Sequence, residues 1–196
     1  MNILHLLPTD QFGGAEKVVL QLAQYDKNNN LYVACGENLC KMFKNNNIKA
    51  YPIFINKKLN LIRFLNKFIQ ENQIDIIHAH DNTVSIISYV YKLIFNSKVK
   101  IISHIHNTYP WLKYNGIYKK IDKIFRNKYD FNIYCCDKSR EHYMEYGKYI
   151  DDTKCKVVEN GIEILPQNNE NISKEQLEIG NKFIYGFIGR LDKQKG

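Results

Sequence analysis

A doubly wound α/β sheet is the fold class this sequence predicts, on three observations. Short apolar runs of strand length recur along the 196 residues, and stretches of helical length separate them. The first apolar run leads into a glycine pair that opens a helix. Strands alternating with helices at this rhythm make a parallel sheet with helices on its faces. Ligands of such sheets bind beyond the carboxyl ends of the strands.

The first strand is expected at residues 3–7, nearly all apolar, as suits a strand buried on both faces. Pro8 and Thr9-Asp10-Gln11 end it, Gly13-Gly14 follow, and residues 15–23 read as a helix with Glu16 in its first turn. Glycines remove the Cβ obstacle to close backbone approach, and a helix start offers unpaired N–H groups to an anion. A tight turn without a ligand explains the pair equally well. It matches neither the dinucleotide fingerprint nor the P-loop, which argues against a nicotinamide dehydrogenase and a P-loop ATPase. Further strands are expected at 31–35, 48–55, 74–78, 99–105, 132–136 and 156–159. Helices are expected near 39–44, at 59–72, from a cap at Asn82 through Phe95, over 111–129, and from a cap at Asp137 towards Gly147. Residues 163–180 then turn polar and carry Pro166, and a new strand is expected at 183–188 before Gly189-Arg190.

Composition narrows the function classes. An apolar fraction of 44% is ample for a core. No apolar run approaches the roughly 20 residues of a membrane span, and a strand at the very start leaves no room for a leader, so a cytoplasmic protein is expected. Five cysteines without C-x-x-C spacing read as free thiols. The formal charge of +8 suits an anionic partner, but no helix-turn-helix, zinc-finger or RNP signature points to nucleic acid. Over 113–128, lysines and Arg126 interleave with Tyr114, Ile117, Tyr118, Ile121, Ile124 and Phe125. Two readings stay open there: a core-facing helix with solvated charges, in which Ile117, Ile121, Ile124 and Phe125 face inwards, or a basic rim that leans on an anionic bilayer.

Histidines crowd two strand ends. His104 and His106 alternate with Ile105 and so share a face of the sheet; His106 is read as a site residue and His104 as the stronger candidate for a core histidine. His78 and His80 are also two apart, and His80 is the one expected to reach a cleft.

Gly13-Gly14-Ala15-Glu16, Val158-Glu159-Asn160-Gly161-Ile162-Glu163 and Gly189-Arg190-Leu191-Asp192-Lys193-Gln194-Lys195-Gly196, with His104-Ile105-His106-Asn107, together resemble the retaining family 4 glycosyltransferases of the GT-B fold. Their order and spacing carry the resemblance over the whole chain. It implies a Rossmann-like N-terminal, acceptor-side domain at 1–162, a linker at 163–181, and at 182–196 the first strand and phosphate loop of a truncated donor-binding domain. It implies transfer of a sugar from a nucleotide-sugar donor to a glycan or lipid-linked acceptor, in surface polysaccharide or glycolipid synthesis. Gly13 and Gly14 would lie beside the donor diphosphate, and Arg190 and Lys195 would neutralise it, with no metal or other cofactor required. His106 would act at the donor sugar, while Glu16, His80, His104 and Asn107 are the other cleft candidates. Family members often have Ser opening the helix after the sixth strand, where this chain has Asp137. Family members carry a Glu-x7-Glu motif and the nucleoside pocket deep in the second domain, and by this resemblance the 196 residues end before either, so alone they are expected to transfer no sugar. The alternative is a non-catalytic Rossmann-like module that binds a nucleotide or anion.

Overall fold

The computed structural model describes residues 1–54, 56–162, 183, 185 and 186. Met1–Gly161 form one compact unit. Its strands are β1 (Asn2–Leu6), β2 (Asn30–Cys35), β3 (Ala50–Pro52), β4 (Ile76–Ala79), β5 (Lys100–Ile105), β6 (Phe131–Tyr134) and β7 (Cys155–Val157). All pair in parallel, in the order β3-β2-β1-β4-β5-β6-β7. The helices are α1 (Gly14–Tyr25), α2 (Glu37–Asn45), α3 (Lys58–Asn72), α4 (Asn82–Ile94), α5 (Ile117–Phe125) and α6 (Asp137–Tyr146). The expected doubly wound sheet is therefore present.

The order reverses between β1 and β4. From β1 the chain winds outward through β2 and β3, then crosses back and winds the other way from β4. That switch point leaves a crevice at the carboxyl edge, because the two loops that leave it diverge.

The two faces of the sheet bury separate clusters. Leu4, Leu6, Ile77 and Ala79 pack with Leu61, Leu65 and Phe68 of α3 and with Val84, Ile87 and Tyr91 of α4. Leu7, Val33 and Cys35 pack with Val19 of α1 and with Leu39, Cys40 and Phe43 of α2. Side chains alternate along a strand, so His5, between Leu4 and Leu6, belongs to the α1 face. His78, opposite His5 in the register, shares it.

Local detail departs from the sequence reading in four places. β3 is only three residues long, because it pairs with β2 alone and ends at Pro52, which has no N–H to donate. Asp81, not Asn82, caps α4, accepting from the Thr83 N–H at 2.7 Å. The expected helix over 111–129 is broken into a 3-10 turn at Pro110–Lys113, α5 behind Gly116, and a second 3-10 turn at Arg126–Lys128. Asp137 is the first residue of α6 and makes no cap; Cys136 occupies the N-cap position without a side-chain bond. All five cysteines are free, as expected. None of the described helices is long and apolar enough to cross a membrane. Residues 163–182 and 187–196, with the expected linker and with Arg190 and Lys195, lie outside the described residues.

Candidate active site at the carboxyl edge

The loop from β1 to α1 is anchored before it reaches the glycines. Asp10 accepts hydrogen bonds from the N–H groups of Asn38 and Leu39 and from the Asn38 amide, capping α2 from a distance in sequence. The Thr9 carbonyl accepts from the N–H of Gly36 at 2.9 Å. A Cβ on Gly36 would lie 2.5 Å from the Asp10 carboxylate and 2.7 Å from its Cα, so only glycine admits this contact. Gly13 is then the N-cap of α1 in extended conformation, and Gly14 is its first residue. The Glu16 side chain is buried and folds back: a Cβ on Gly13 would meet its carboxylate at 3.0 Å. Gly14 has open space where a Cβ would stand. The first N–H groups of α1 have no intrahelical acceptor, which makes this loop a fit for an anion.

Beside it, five histidines share one patch of sheet. His5 comes from β1, His78 from β4, His104 from β5, and His80 and His106 stand one residue beyond β4 and β5. Two hydrogen-bonded rows run across the strands. His5 Nδ1 lies 2.9 Å from His80 Nε2, and His80 Nδ1 lies 3.0 Å from His106 Nε2. In the second row His78 Nε2 lies 3.2 Å from His104 Nδ1. The rows stack on each other, with ring centroids 4.2 Å apart for His78 and His80 and 3.9 Å for His104 and His106.

Burial sets the charge of this group. It lowers His5 and His106 to about 4 and His104 to about 3, and it holds His78 and His80 well below the usual imidazole range. Repulsion among the rings adds to the effect at His78, His80 and His104. All five are neutral at pH 7, so each has one N–H and one lone pair. Two nitrogens in the group are buried without a partner, His104 Nε2 and His106 Nδ1. Both belong to the end of β5. Two triplets, His5-His78-His80 and His80-His104-His106, hold nitrogens within 4.8 Å of one another, and neutral imidazoles of that spacing are able to take a metal ion.

The structure thus brings together His80, His104 and His106, and sets the loop of Gly13, Gly14 and Glu16 on the strand next to β4. Asn107 is exposed, one residue beyond His106. The sequence pattern does not single out His5, and it places His78 behind His80 as a cleft residue. The signal was available: His5 alternates with two leucines, and a doubly wound order sets the first strand against the fourth.

Behind the site, a fully buried guanidinium ties its strands together. Arg126 donates to Asp122, to Ser103 on β5, to Asn82 at the start of α4, to Asn132 on β6 and to Tyr143 on α6. The other Asp122 oxygen accepts from Tyr149 at 2.6 Å. This corrects the sequence reading twice. Arg126 is no part of a solvated basic rim, and the fully buried residue of α5 is Asp122; of the expected inward face Ile121 and Phe125 are half-buried, while Ile117 and Ile124 are more than 60% exposed.

A parallel sheet wound in this order, with a glycine loop and histidines at the switch point, defines a Rossmann-like α/β domain. The particular family follows from comparison: residues 12–164 match the model of Glycosyltransferase Family 4, and the chain belongs to that family. Among solved structures, Anabaena Alr3699/HepE in complex with UDP aligns with a TM-score of 0.80 at 18% identity, over 100% of this chain and 55% of that one. A glycosyltransferase from Rickettsia africae gives 0.73 at 19%, over 92% and 50%. The lipopolysaccharide outer core galactosyltransferase WaaB gives 0.61 at 17%, over 87% and 50%. The fold is accordingly that of an N-terminal GT-B domain, and the chain spans about half the length of the structures it matches. No curated protein matches it.

Proposed function

We propose that this chain is the acceptor-side part of a retaining glycosyltransferase that moves a hexose from a nucleotide-sugar to a glycan or lipid-linked acceptor, in surface polysaccharide or glycolipid synthesis. The observation that carries the proposal is the unpartnered Nδ1 of His106, held in a neutral ring at the switch-point edge. A neutral imidazole there is suited to a hydrogen bond with a sugar hydroxyl and to the positive charge that develops at the anomeric carbon. HepE was crystallised with UDP and with UDP-glucose, which supports a uridine diphosphate donor here.

In this reading the donor diphosphate lies over the N–H groups that open α1, close to Gly13 and Gly14. Arg190 and Lys195 neutralise the departing diphosphate, and the reaction needs no metal. The acceptor occupies the groove of about 770 Å³ at the ends of β1 to β3, lined by Asp10, Lys41, Lys44, Phe54 and Lys57. The 196 residues alone are expected to transfer no sugar, so turnover is measured on the whole gene product. The test is sugar transfer by the whole gene product, with and without His106→Ala, using UDP-sugars as donors.

Membrane contact forms part of the proposal. Tyr114, Ile117, Tyr118 and Ile124 are exposed beside Lys119, Lys120 and Lys123, an arrangement that fits the headgroup region of an anionic cytoplasmic leaflet. Attraction of roughly 1 kcal/mol per lysine makes such binding reversible and salt-sensitive. Co-sedimentation with anionic vesicles, lost with neutral vesicles and on Lys119→Glu/Lys123→Glu, is the expected result; equal binding to both vesicle types would contradict it.

A further inference from the structure

We infer that His5, His80 and His106 form a tautomer-coupled chain, in which His5 and His80 are positioning residues that decide whether His106 presents an N–H or a lone pair to the ligand. The inference rests on the proposed role of His106 at the sugar, but its physical core does not need that role.

A neutral imidazole has one donor and one acceptor nitrogen. Both nitrogens of His80 are engaged, Nε2 with His5 at 2.9 Å and Nδ1 with His106 at 3.0 Å. One of these links must be donated by His80 and the other accepted by it. If His5 donates from Nδ1, His80 accepts at Nε2 and donates from Nδ1; His106 then accepts at Nε2 and carries its hydrogen on Nδ1. If His106 donates from Nε2, every ring reverses, and His106 Nδ1 becomes a bare acceptor. Any mixed arrangement sets two N–H groups or two lone pairs against each other at hydrogen-bond distance in a buried site, and forfeits a bond. Only two states of the row remain.

The free end of the row is the Nδ1 of His106, buried and without a partner. What meets that atom is therefore coupled to a ring two strands away on β1. The second row supplies a contrast. His78 bonds His104 but makes no hydrogen bond to the first row, meeting it through ring contacts with His5 and His80. Loss of the His78 imidazole should leave the tautomer of His106 alone.

Nitrogen-15 spectra of the histidine rings in the full 196-residue chain, at pH 7, read the state of each ring directly. The expected spectrum shows His5, His80 and His106 neutral, each in a single tautomer and all three of the same hand. His80→Phe should leave His106 a mixture of tautomers, and His78→Phe should leave it single. In the whole gene product, His80→Phe should lower kcat about tenfold with the donor KM little changed, as a lost hydrogen bond of about 1.4 kcal/mol would. Opposed tautomers at His80 and His106 in the unsubstituted chain would overturn the inference whether or not the variants fold. So would one equivalent of Zn2+ shifting the nitrogens of His80, His104 and His106 together, since the group would then be a metal centre. Coupled tautomers in a protein whose transfer survives His106→Ala would instead overturn the proposed function and leave the coupling intact.

Discussion

Arg126 and Asp122 form an ion pair with neither partner exposed to solvent, two guanidinium nitrogens donating to the same carboxylate oxygen at 3.1 and 2.5 Å. They stand four residues apart, at the end of α5 and the start of the turn that follows. The pair is costly to bury, and its partners on β5, β6, α4 and α6 are what make the burial tolerable.

Removing one member should therefore be severe. Arg126→Ala leaves the Asp122 carboxylate unpaired in the interior and is expected to cost about 3–5 kcal/mol. Urea unfolding of the 196-residue chain would measure it. A loss below about 1 kcal/mol would mean that Asp122 finds other partners or water.

The histidine group gives stability a pH dependence of defined sign. An unfolded histidine takes up a proton below its ordinary value of about 6.5, whereas His5 and His106 in the folded chain wait until about 4 and His104 until about 3. Between those limits the unfolded state binds more protons, so stability falls as pH falls from about 6.5 towards 4. Above 6.5 these groups contribute no slope. Each independent ring adds about 1.4 kcal/mol per pH unit, so two alone would make the decline steep. Thermal melts from pH 8 to 4.5 should show a plateau and then a fall, which His104→Phe makes shallower. An unchanged melting temperature across pH 6.5 to 4.5 would contradict neutral burial.

Two glycines separate structural need from ligand need. Gly36→Ala drives a Cβ into Asp10 and should cost about 1–3 kcal/mol, loosening the loop that leads to Gly13. Gly14→Ala meets nothing in the protein and should change stability by no more than about 0.5 kcal/mol. If a diphosphate lies against Gly14, the same substitution should still weaken donor binding by the whole gene product about tenfold, or 1.4 kcal/mol. Calorimetric titration with UDP-glucose would show it, and undiminished affinity would return Gly14 to the role of a turn.

Strand and helix order were legible because hydrophobic period and glycine punctuation are local signals. The class of fold followed from them, and so did the placing of His80, His104 and His106 at strand ends, but that their rings meet is seen only in the folded chain. Contacts distant in sequence were less legible. Asp10 caps a helix that starts 27 residues later, and nothing near Asp10 announces it. Arg126 looks like one more cation in a lysine-rich stretch, and only the folded chain shows that Ser103, Asn82, Asn132 and Tyr143 converge on it. The apolar pattern of residues 117–125 suggests a buried face of Ile117, Ile121, Ile124 and Phe125, but the fully buried group is Asp122, whose charge is paired inside, while Ile121 and Phe125 are half-buried and Ile117 and Ile124 are exposed. His5 escaped notice for a different reason. A single histidine between leucines reads as strand filler until the order of the strands sets it beside His78.

In the proposed function His106 serves sugar transfer and is not merely a core histidine. Turnover with a UDP-sugar, measured on the whole gene product and its His106→Ala variant alongside their thermal transitions, tests it most directly. Turnover about 10²- to 10³-fold lower in the variant, with the thermal transition retained, is the expected result. A variant that loses its thermal transition but keeps its activity per folded molecule would contradict it.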